Sequence, residues 1–337
     1  MPDARDVMAL DRSGPWEGVR VVVAGFGRAG FAATDNLLHL GATVTARALP
    51  LTDDDPSEAD QAEKAELLEV LGARVELLPD ALASLPDDVD LVIASPEHRD
   101  TPLVDQARLR GVPVWGEVEL AWRLRDTAAG SRPAPWLVVA GSAGQTEVAL
   151  LVEQILLAAG QRPAVAGLAG LPLVEAVMDP EPYDALVVAL DDAQLAGVRS
   201  MSALAAAVLD SSEGDVGSAA SRAAAYEHVQ EACIYVAADA TTEELVREAD
   251  VVEGARAIGV TLGMPGVGML GVVEDLLVER AFLPQRSTSA AELTSLEELG
   301  TDDTVTVTRS LVASALALAA GATPAAVRDG LRNARHA

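Results

Sequence analysis

The sequence is poor in lysine and in basic charge, and both shortages exclude functions. Lys64 is the only lysine among 337 residues, so no lysine-dependent nucleotide chemistry can come from residues 65–337. The net charge of −28 would repel phosphate backbones and anionic bilayers. We therefore expect neither nucleic acid nor a membrane surface as a partner.

Cysteine and long apolar runs are also missing. Cys233 is the single cysteine, which excludes an internal disulfide framework and predicts a packed thiol in a reducing compartment. No stretch has 18 uninterrupted apolar residues, so we predict no transmembrane helix. We expect a cytoplasmic protein without membrane insertion.

Apolar strands alternate with helical patterns in the first part of the chain. After a flexible N-terminus at 1–15, strands are predicted at 20–25, 43–46, 74–77, 90–95 and 112–115, with helices at 31–40 and 102–110. Such alternation is typical of a doubly wound parallel sheet. We predict an α/β fold whose first domain, at 16–127, is Rossmann-like, followed by a linker at 128–135.

A second alternating unit follows the linker. Strands are predicted at 136–140, 163–167, 185–190, 203–209 and 233–237, and helices at 147–160, 242–248, 307–320 and 324–332. Residues 257–300 alternate short apolar stretches with Gly and Pro, which indicates hairpins. We predict a central P-loop-type α/β domain at 136–337.

The join between strand 136–140 and its helix has the layout of a phosphate-binding loop. Its residues are Gly141, Ser142, Ala143, Gly144, Gln145 and Thr146. Gln145 stands where the lysine that meets the β- and γ-phosphates is expected, and Glu147 adds negative charge at a helix start that should attract anions. We expect no bound cofactor, with ATP and Mg²⁺ bound weakly if at all.

A second glycine-rich turn follows the first strand. Its residues are Gly25, Phe26, Gly27, Arg28, Ala29 and Gly30. The spacing fits a dinucleotide fingerprint, but Ala48 stands where an acidic residue is expected to bind the ribose. Three interpretations stay open: a 2′-phosphate site using Arg47, a diphosphate loop, or a tight turn needed only for packing.

Candidate metal ligands are few. Asp191 and Asp192 follow a central strand, where paired carboxylates are able to hold Mg²⁺, although a solvated acidic loop has the same pattern. The histidines have no metal-ligand spacing and are expected at the surface or in loops; they are His39, His98, His228 and His336. Ser142 has no histidine nearby in sequence, and we predict no catalytic residue.

Several segments resemble one known family. VVVAGFGRAG at 21–30, DLVIASP at 90–96, GVPVWGEVELAWRL at 111–124 and PWLVVAGSAGQT at 135–146 are similar to UDP-N-acetylmuramoyl-alanine:D-glutamate ligases, the MurD family of peptidoglycan precursor synthesis. The resemblance runs from about residue 16 to the end. It implies a UDP-sugar domain, a central ATPase domain and a C-terminal domain for the amino acid, which together activate a carboxylate as an acyl phosphate.

The positions that the resemblance assigns to this chemistry have changed. The substituted positions are Gln145 for the loop lysine, Ala189 for an acidic metal ligand, Leu168 for an asparagine, Arg222 for the carbamylated lysine, Val305-Thr306 for a His-Asn pair, Ala48 for the uridine-site acid and Glu97 for a glycine. The C-terminal domain would begin near residue 337, so the resemblance implies that it is absent from this sequence. Catalysis by positioning and charge is expected to be lost when these groups are lost together.

Three hypotheses follow. We favour a non-catalytic binding or regulatory module that pairs with an active Mur ligase, with another cell-wall or division protein, or with itself. The second is a ligase with a displaced metal site and a third domain supplied by another chain. That metal site would comprise Asp191, Asp192, Asp210 and Asp215. The third is a nucleotide or UDP-sugar binder that uses Gly25 to Gly30.

Overall fold

The structure is a computed structural model and describes residues 7–51, 58–125, 132–210 and 216–335. These residues form two compact units. The first unit comprises residues up to 133 together with 172–182 and 197–200, and the second comprises 134–171, 183–196 and the residues from 201 on. The first half of the predicted linker, 128–131, lies outside the described residues.

The described elements alternate along the chain. The strands are β1 Arg20–Ala24, β2 Thr43–Ala48, β3 Arg74–Leu77, β4 Leu91–Ala94, β5 Val114–Trp115, β6 Trp136–Ala140, β7 Pro163–Gly167, β8 Ala185–Leu190, β9 Ala205–Val208, β10 Ala232–Val236, β11 Arg256–Val260, β12 Met269–Val273, β13 Leu276–Glu279 and β14 Ala291–Ser295. The helices are α1 Arg28–His39, α2 Glu58–Val70, α3 Pro102–Leu109, α4 Glu117–Leu124, α5 Gln145–Ala158, α6 Leu173–Met178, α7 Asp192–Leu195, α8 Val216–Ala223, α9 Ala240–Glu248, α10 Leu296–Leu299, α11 Thr304–Ala319 and α12 Pro324–Ala334.

The first unit contains the doubly wound sheet that the alternation predicts. Its strand order is β3-β2-β1-β4-β5, and every pair is parallel. All four residues of β4 are buried, because a parallel sheet is covered by helices on both faces and its central strands are apolar throughout. The strand order runs outward in opposite directions from β1 and β4, which are parallel neighbours, so the carboxyl ends of these two strands border the glycine-rich turn after β1.

The second unit contains a nine-stranded sheet in the order β14-β13-β12-β11-β10-β9-β6-β8-β7. The predicted hairpins occur only at its edge, where β12, β13 and β14 are antiparallel. The same prediction is wrong for β11, which pairs in parallel with both β10 and β12. The Gly- and Pro-rich segment 261–268 makes a longer crossover there, which parallel neighbours require and a tight turn does not supply.

The segments 7–15 and 117–124 differ from the sequence-based expectations. Residues 7–15, expected to be flexible, form a 3₁₀ turn at 7–9 and bury Val7 and Leu10. Residues 117–124, which had no predicted element, form α4, and most of its side chains are buried. Glu117 and Glu119 are buried in α4 together with its apolar residues, so the polar positions of this segment do not mark an exposed helix face.

Within the described ranges, no helix is both long and apolar enough to cross a membrane.

Candidate functional site

The loop after β6 lies at the carboxyl edge of the second sheet. Because β6 pairs with β8 on one side and β9 on the other, the segments that follow these three strands meet at one edge. Gly141 and Gly144 have φ angles of +153° and +90°, which favour glycine. The sequence thus folds locally into the strand, turn and helix of a phosphate-binding loop.

Gln145 turns back into this loop. Its side chain is buried, and its Nε2 donates a hydrogen bond to the carbonyl oxygen of Gly141. The amide therefore closes the loop on itself and satisfies a backbone acceptor. It brings no positive charge to a phosphate.

Asp210, two residues after β9, binds the same loop. The backbone N–H of Ser142 donates to its Oδ1 at 2.8 Å, and the Ser142 hydroxyl donates to its Oδ2 at 2.6 Å. An internal carboxylate therefore occupies a loop N–H that an incoming phosphate would use. The Asp210 carboxylate also places a negative charge at the position that a negatively charged phosphate would occupy, and the two would repel each other.

Arg222 on α8 holds the neighbouring carboxylates together. Its Nε and Nη2 donate to the two oxygens of Asp192 at 2.7 and 2.8 Å, and its Nη1 donates to the Asp210 carbonyl oxygen at 2.9 Å. Hydrogen bonding to Asp192 raises the pKa of Arg222, although burial opposes this. A fixed guanidinium thus satisfies the carboxylates at a position where a metal would need them open.

Asp191, the other candidate metal ligand, has a structural contact. Its Oδ1 accepts from the backbone N–H of Gln194, while the Gln194 side chain accepts from the Asp191 N–H, which is a capping box at the start of α7. The two adjacent aspartates therefore have different partners. Asp215, proposed with them, lies outside the described residues.

These contacts do not fit ATP with Mg²⁺. Glu147 in the first turn of α5 opposes phosphate binding at the helix N-terminus. Asp210 and Gln145 occupy the loop, and Asp192 is held by Arg222.

Arg309 is a cation near the loop that sequence reasoning missed. It lies on α11, pairs with Glu147 at 3.7 Å, and approaches Gly144 so closely that a Cβ there would lie 2.5 Å from its Nε. The sequence signal is an arginine near the start of the helix predicted at 307–320. Arg309, Asp210 and Val305 border a cavity of about 280 Å³ beside the loop.

Three further positions at which the resemblance expects a polar or charged side chain are Ala189, Leu168 and Val305. Ala189 is a fully buried residue of β8, and its carbonyl oxygen accepts a hydrogen bond from the backbone N–H of Leu168 at 2.9 Å. The Leu168 side chain is exposed, as is that of Val305. Apolar side chains therefore occupy these positions.

The turn at Gly25–Gly30 contains three glycines, of which two are closely packed against neighbouring atoms and one is not. A Cβ at Gly25 would lie 2.1 Å from Ser95 Oγ, and one at Gly30 would lie 2.2 Å from the Gly25 carbonyl oxygen. Gly27, in contrast, has nothing within 4 Å of its Cβ position. Backbone packing therefore explains two of the three glycines, and Gly27 faces open space.

Gly27 borders a cavity of about 630 Å³ in the first unit, together with Phe26, Arg28, Ala48, Glu97, His98 and the Lys64–Asp60 ion pair. Arg47 is not in its lining. Arg47 instead pairs with Glu76 at 2.6 Å and donates to the Ser84 carbonyl oxygen. The structure therefore gives no support to a 2′-phosphate site built on Arg47.

A separate group of potential metal ligands lies elsewhere in the second unit. Glu227, His228 and Asp250 have ligand atoms within 4.8 Å of one another, and this is the one such group in the described part of the chain. His228 and Asp250 are exposed, and this group includes no ligand atom of Asp191 or Asp192.

Burial raises the pKa of the Cys233 thiol to about 12, as expected for a packed thiol.

Comparison with curated proteins finds clear relatives. The chain is 42% identical over 325 residues to a protein of Streptomyces avermitilis named UDP-N-acetylmuramoylalanine--D-glutamate ligase, covering 94% of this chain and 67% of the relative. A Streptomyces coelicolor protein of the same name is 43% identical with the same coverage. The chain spans about two thirds of the length of the curated relatives it matches. No protein-family model matches the chain.

A solved structure shares the fold. A murein peptide ligase from Psychrobacter arcticus superposes with a TM-score of 0.55 at 15% sequence identity, covering 94% of this chain and 68% of that one. At this identity the comparison concerns the fold alone, and it confirms the predicted α/β architecture.

Proposed function

Because the chain belongs to the UDP-N-acetylmuramoylalanine--D-glutamate ligase family, we propose that it is a member without ligase activity that acts as a binding or regulatory module in peptidoglycan precursor synthesis. Its partner would be an active Mur ligase, another cell-wall or division protein, or a second copy of the chain. The relatives' names state a ligase reaction, and the contacts of the loop after β6 are what support the proposal that this chain lacks it.

The observation that carries the proposal is the Asp210 carboxylate bound to Ser142. Both oxygens of the carboxylate contact the loop, at 2.8 and 2.6 Å. A phosphate would have to displace a charge-assisted hydrogen bond that the protein makes with itself, and it would meet two negative side chains, Asp210 and Glu147. Neutral Gln145 offers no compensation.

The surrounding contacts make a simple rearrangement costly. Opening Asp192 for a metal would leave the buried Arg222 guanidinium without its bidentate partner. Removing one member of a buried ion pair typically costs about 3–5 kcal/mol. The displaced metal site of the second hypothesis therefore conflicts with the stability of this network.

The test is calorimetry with MgATP on the unmodified protein and on three variants. The variants are Gln145→Lys/Glu147→Thr, the same pair with Asp210→Asn, and Gln161→Lys as a control that adds one positive charge after the other end of α5. We expect no saturation with millimolar MgATP for the unmodified protein or for the control. The triple variant should bind at least about tenfold better than the unmodified protein, a gain of about 1.4 kcal/mol.

None of these variants is expected to ligate D-glutamate, because Ala189 and Leu168 remain unchanged. Micromolar MgATP affinity of the unmodified protein, with phosphate release that depends on the UDP-sugar substrate and D-glutamate, would overturn the proposal. Loss of that affinity in Arg309→Gln would then identify Arg309 as the substitute cation.

A UDP-sugar binder is the second candidate function, and the open face of Gly27 on the 630 Å³ cavity favours it. Gly27 has a φ of −74°, so Gly27→Val would fill the approach without backbone strain. Thermal-shift titration with UDP and UDP-N-acetylmuramoylalanine would show a shift that Gly27→Val removes if this function holds. Under our proposal, Ala48 and Glu97 keep the affinity far below that of a working ligase.

Association is tested separately. Light scattering measures self-association, and co-purification with each Mur ligase of the same organism, expressed one at a time, measures partner binding. A strictly monomeric protein that retains none of these ligases, combined with a saturable UDP-sugar shift, would replace the interaction module with the binder.

A further inference from the structure

An arginine-rich cavity lies in the first unit, apart from the glycine-rich turn. It has a volume of about 420 Å³ and is lined by Met8, Arg99, Arg108, Gly111, Val112, Pro113, Val114, Trp115 and Arg199. Three guanidinium groups therefore border one cavity in a chain whose net charge is −28. Such a local reversal of sign concentrates anions at that position.

Among the described residues that line this cavity, none is acidic. Asp105 pairs with Arg108 at 3.0 Å, in a contact exposed on both sides, and Asp100 attracts Arg99. Exposed pairs of this kind are weak and readily exchanged. The described lining therefore carries three positively charged side chains and no negatively charged one.

Arg99 is held within the site. It is half-buried, and the backbone of Gly197 leaves room for it, because a Cβ there would lie 2.1 Å from its Nη2. Burial lowers the pKa of Arg99, and repulsion from Arg108 and Arg199 lowers it further, against the attraction of Asp100. An anion placed among the three arginines would relieve this repulsion.

Trp115 supplies an apolar wall of the cavity. The side chain is almost fully buried, and its indole Nε1 has no hydrogen-bond partner among the described residues. Arg123 stacks on the ring with its guanidinium carbon 4.5 Å from the ring centre, and Arg123 also pairs with Glu119. Glu119 in turn accepts hydrogen bonds from the backbone of Arg199 and Ser200, so one network positions both the indole and the loop that carries Arg199.

We propose that this cavity binds a small organic anion, a phosphate monoester or dicarboxylate with an apolar or planar body. Guanidinium groups match the geometry of phosphate and carboxylate. The Val, Pro, Met and Trp surfaces would contact the body, and a volume of this size suits a small ligand. The site is independent of the loop after β6, so it does not rest on the absence of ligase activity.

The experiment is calorimetry and indole N–H NMR with phenyl phosphate, phthalate, inorganic phosphate and benzyl alcohol as probes. Trp115→Phe assigns the Trp115 indole resonance. We expect saturable binding of phenyl phosphate or phthalate that shifts this resonance and weakens as salt increases. Inorganic phosphate and neutral benzyl alcohol should each bind more weakly, because one lacks the body and the other lacks the charge.

Arg199→Gln and Arg108→Gln change exposed positions and should each weaken phenyl phosphate binding about tenfold, as expected for loss of a charge-assisted hydrogen bond. Arg74→Gln is the matched control, because Arg74 is exposed on β3 and pairs with Glu76. The proposal fails if neither organic anion saturates, if benzyl alcohol or inorganic phosphate binds as tightly as phenyl phosphate, or if Arg74→Gln weakens binding as much as Arg199→Gln.

Discussion

At the scale of single residues, charged groups with different roles are buried in this protein. Arg222 is fully compensated by Asp192 and the Asp210 carbonyl. Glu117, at the start of α4, is buried without an ion-pair partner of this kind among the described residues. Burial raises its pKa to about 7, although the backbone N–H of Leu173 donates a hydrogen bond to its Oε1 at 2.7 Å. Its ionised form is therefore disfavoured by folding.

Glu117 should make stability depend on pH. Because its folded pKa lies above the ordinary 4.5, its contribution is fully present below about pH 4.5 and is lost as the pH rises through about 7. The loss should amount to about 3 kcal/mol by pH 8.5. Glu117→Gln keeps the hydrogen-bond acceptor without the charge and should gain stability over the unmodified protein across this range.

Urea unfolding at pH 4.5, 6.5 and 8.5 measures this difference. Glu69→Gln, at an exposed position on α2, is the control and should follow the unmodified protein. Parallel stability curves for Glu117→Gln and the unmodified protein would show that Glu117 ionises without cost.

At the scale of elements, the second unit depends on the close packing of α5 and α12. Gly330 on α12 is buried, and a Cβ there would lie 2.4 Å from the Cα of Ile155 on α5. The contact is between backbone atoms, so no flexible side chain is able to yield. A small residue is required at this crossing.

Gly330→Ala should therefore destabilise the protein by about 1–3 kcal/mol through overpacking, although alanine is the better helix former. Asn333→Ala, at an exposed position on the same helix, should have little effect or stabilise slightly. Thermal and urea unfolding of both variants measure this. Equal stability of Gly330→Ala and the unmodified protein would mean that the two helices separate without cost.

At the scale of the whole molecule, 52 acidic residues face 24 lysines and arginines. The resulting self-repulsion opposes the compact state and is screened by salt over a Debye length of about 10 Å at 0.1 M. The melting temperature should rise by a few degrees between low salt and about 0.2 M NaCl. MgCl₂ at equal ionic strength should give a similar rise.

A much larger stabilisation by MgCl₂ than by NaCl would indicate specific binding of the cation to the folded protein. Asp192→Asn and His228→Ala would then distinguish the edge beside Arg222 from the group at Glu227, His228 and Asp250.

The amino-acid sequence by itself determined most of the element order. Buried strands such as β4, β6 and β8 are apolar runs, and Gly25 and Gly144 mark turns, because periodicity and backbone freedom act over a few residues. The sequence also showed directly that Gln145 stands where the loop lysine is expected. The pattern did not identify α4, or the parallel pairing of β11, because both depend on neighbours distant in sequence.

Only the tertiary structure decided the contacts of the two candidate sites. Asp210 reaches Ser142 across 68 residues and Arg222 reaches Asp192 across 30, since the strand order places the ends of β6, β8 and β9 side by side. Arg99, Arg108 and Arg199 share a cavity in the same way. Ion pairing depends on distance in space, which local sequence patterns do not encode.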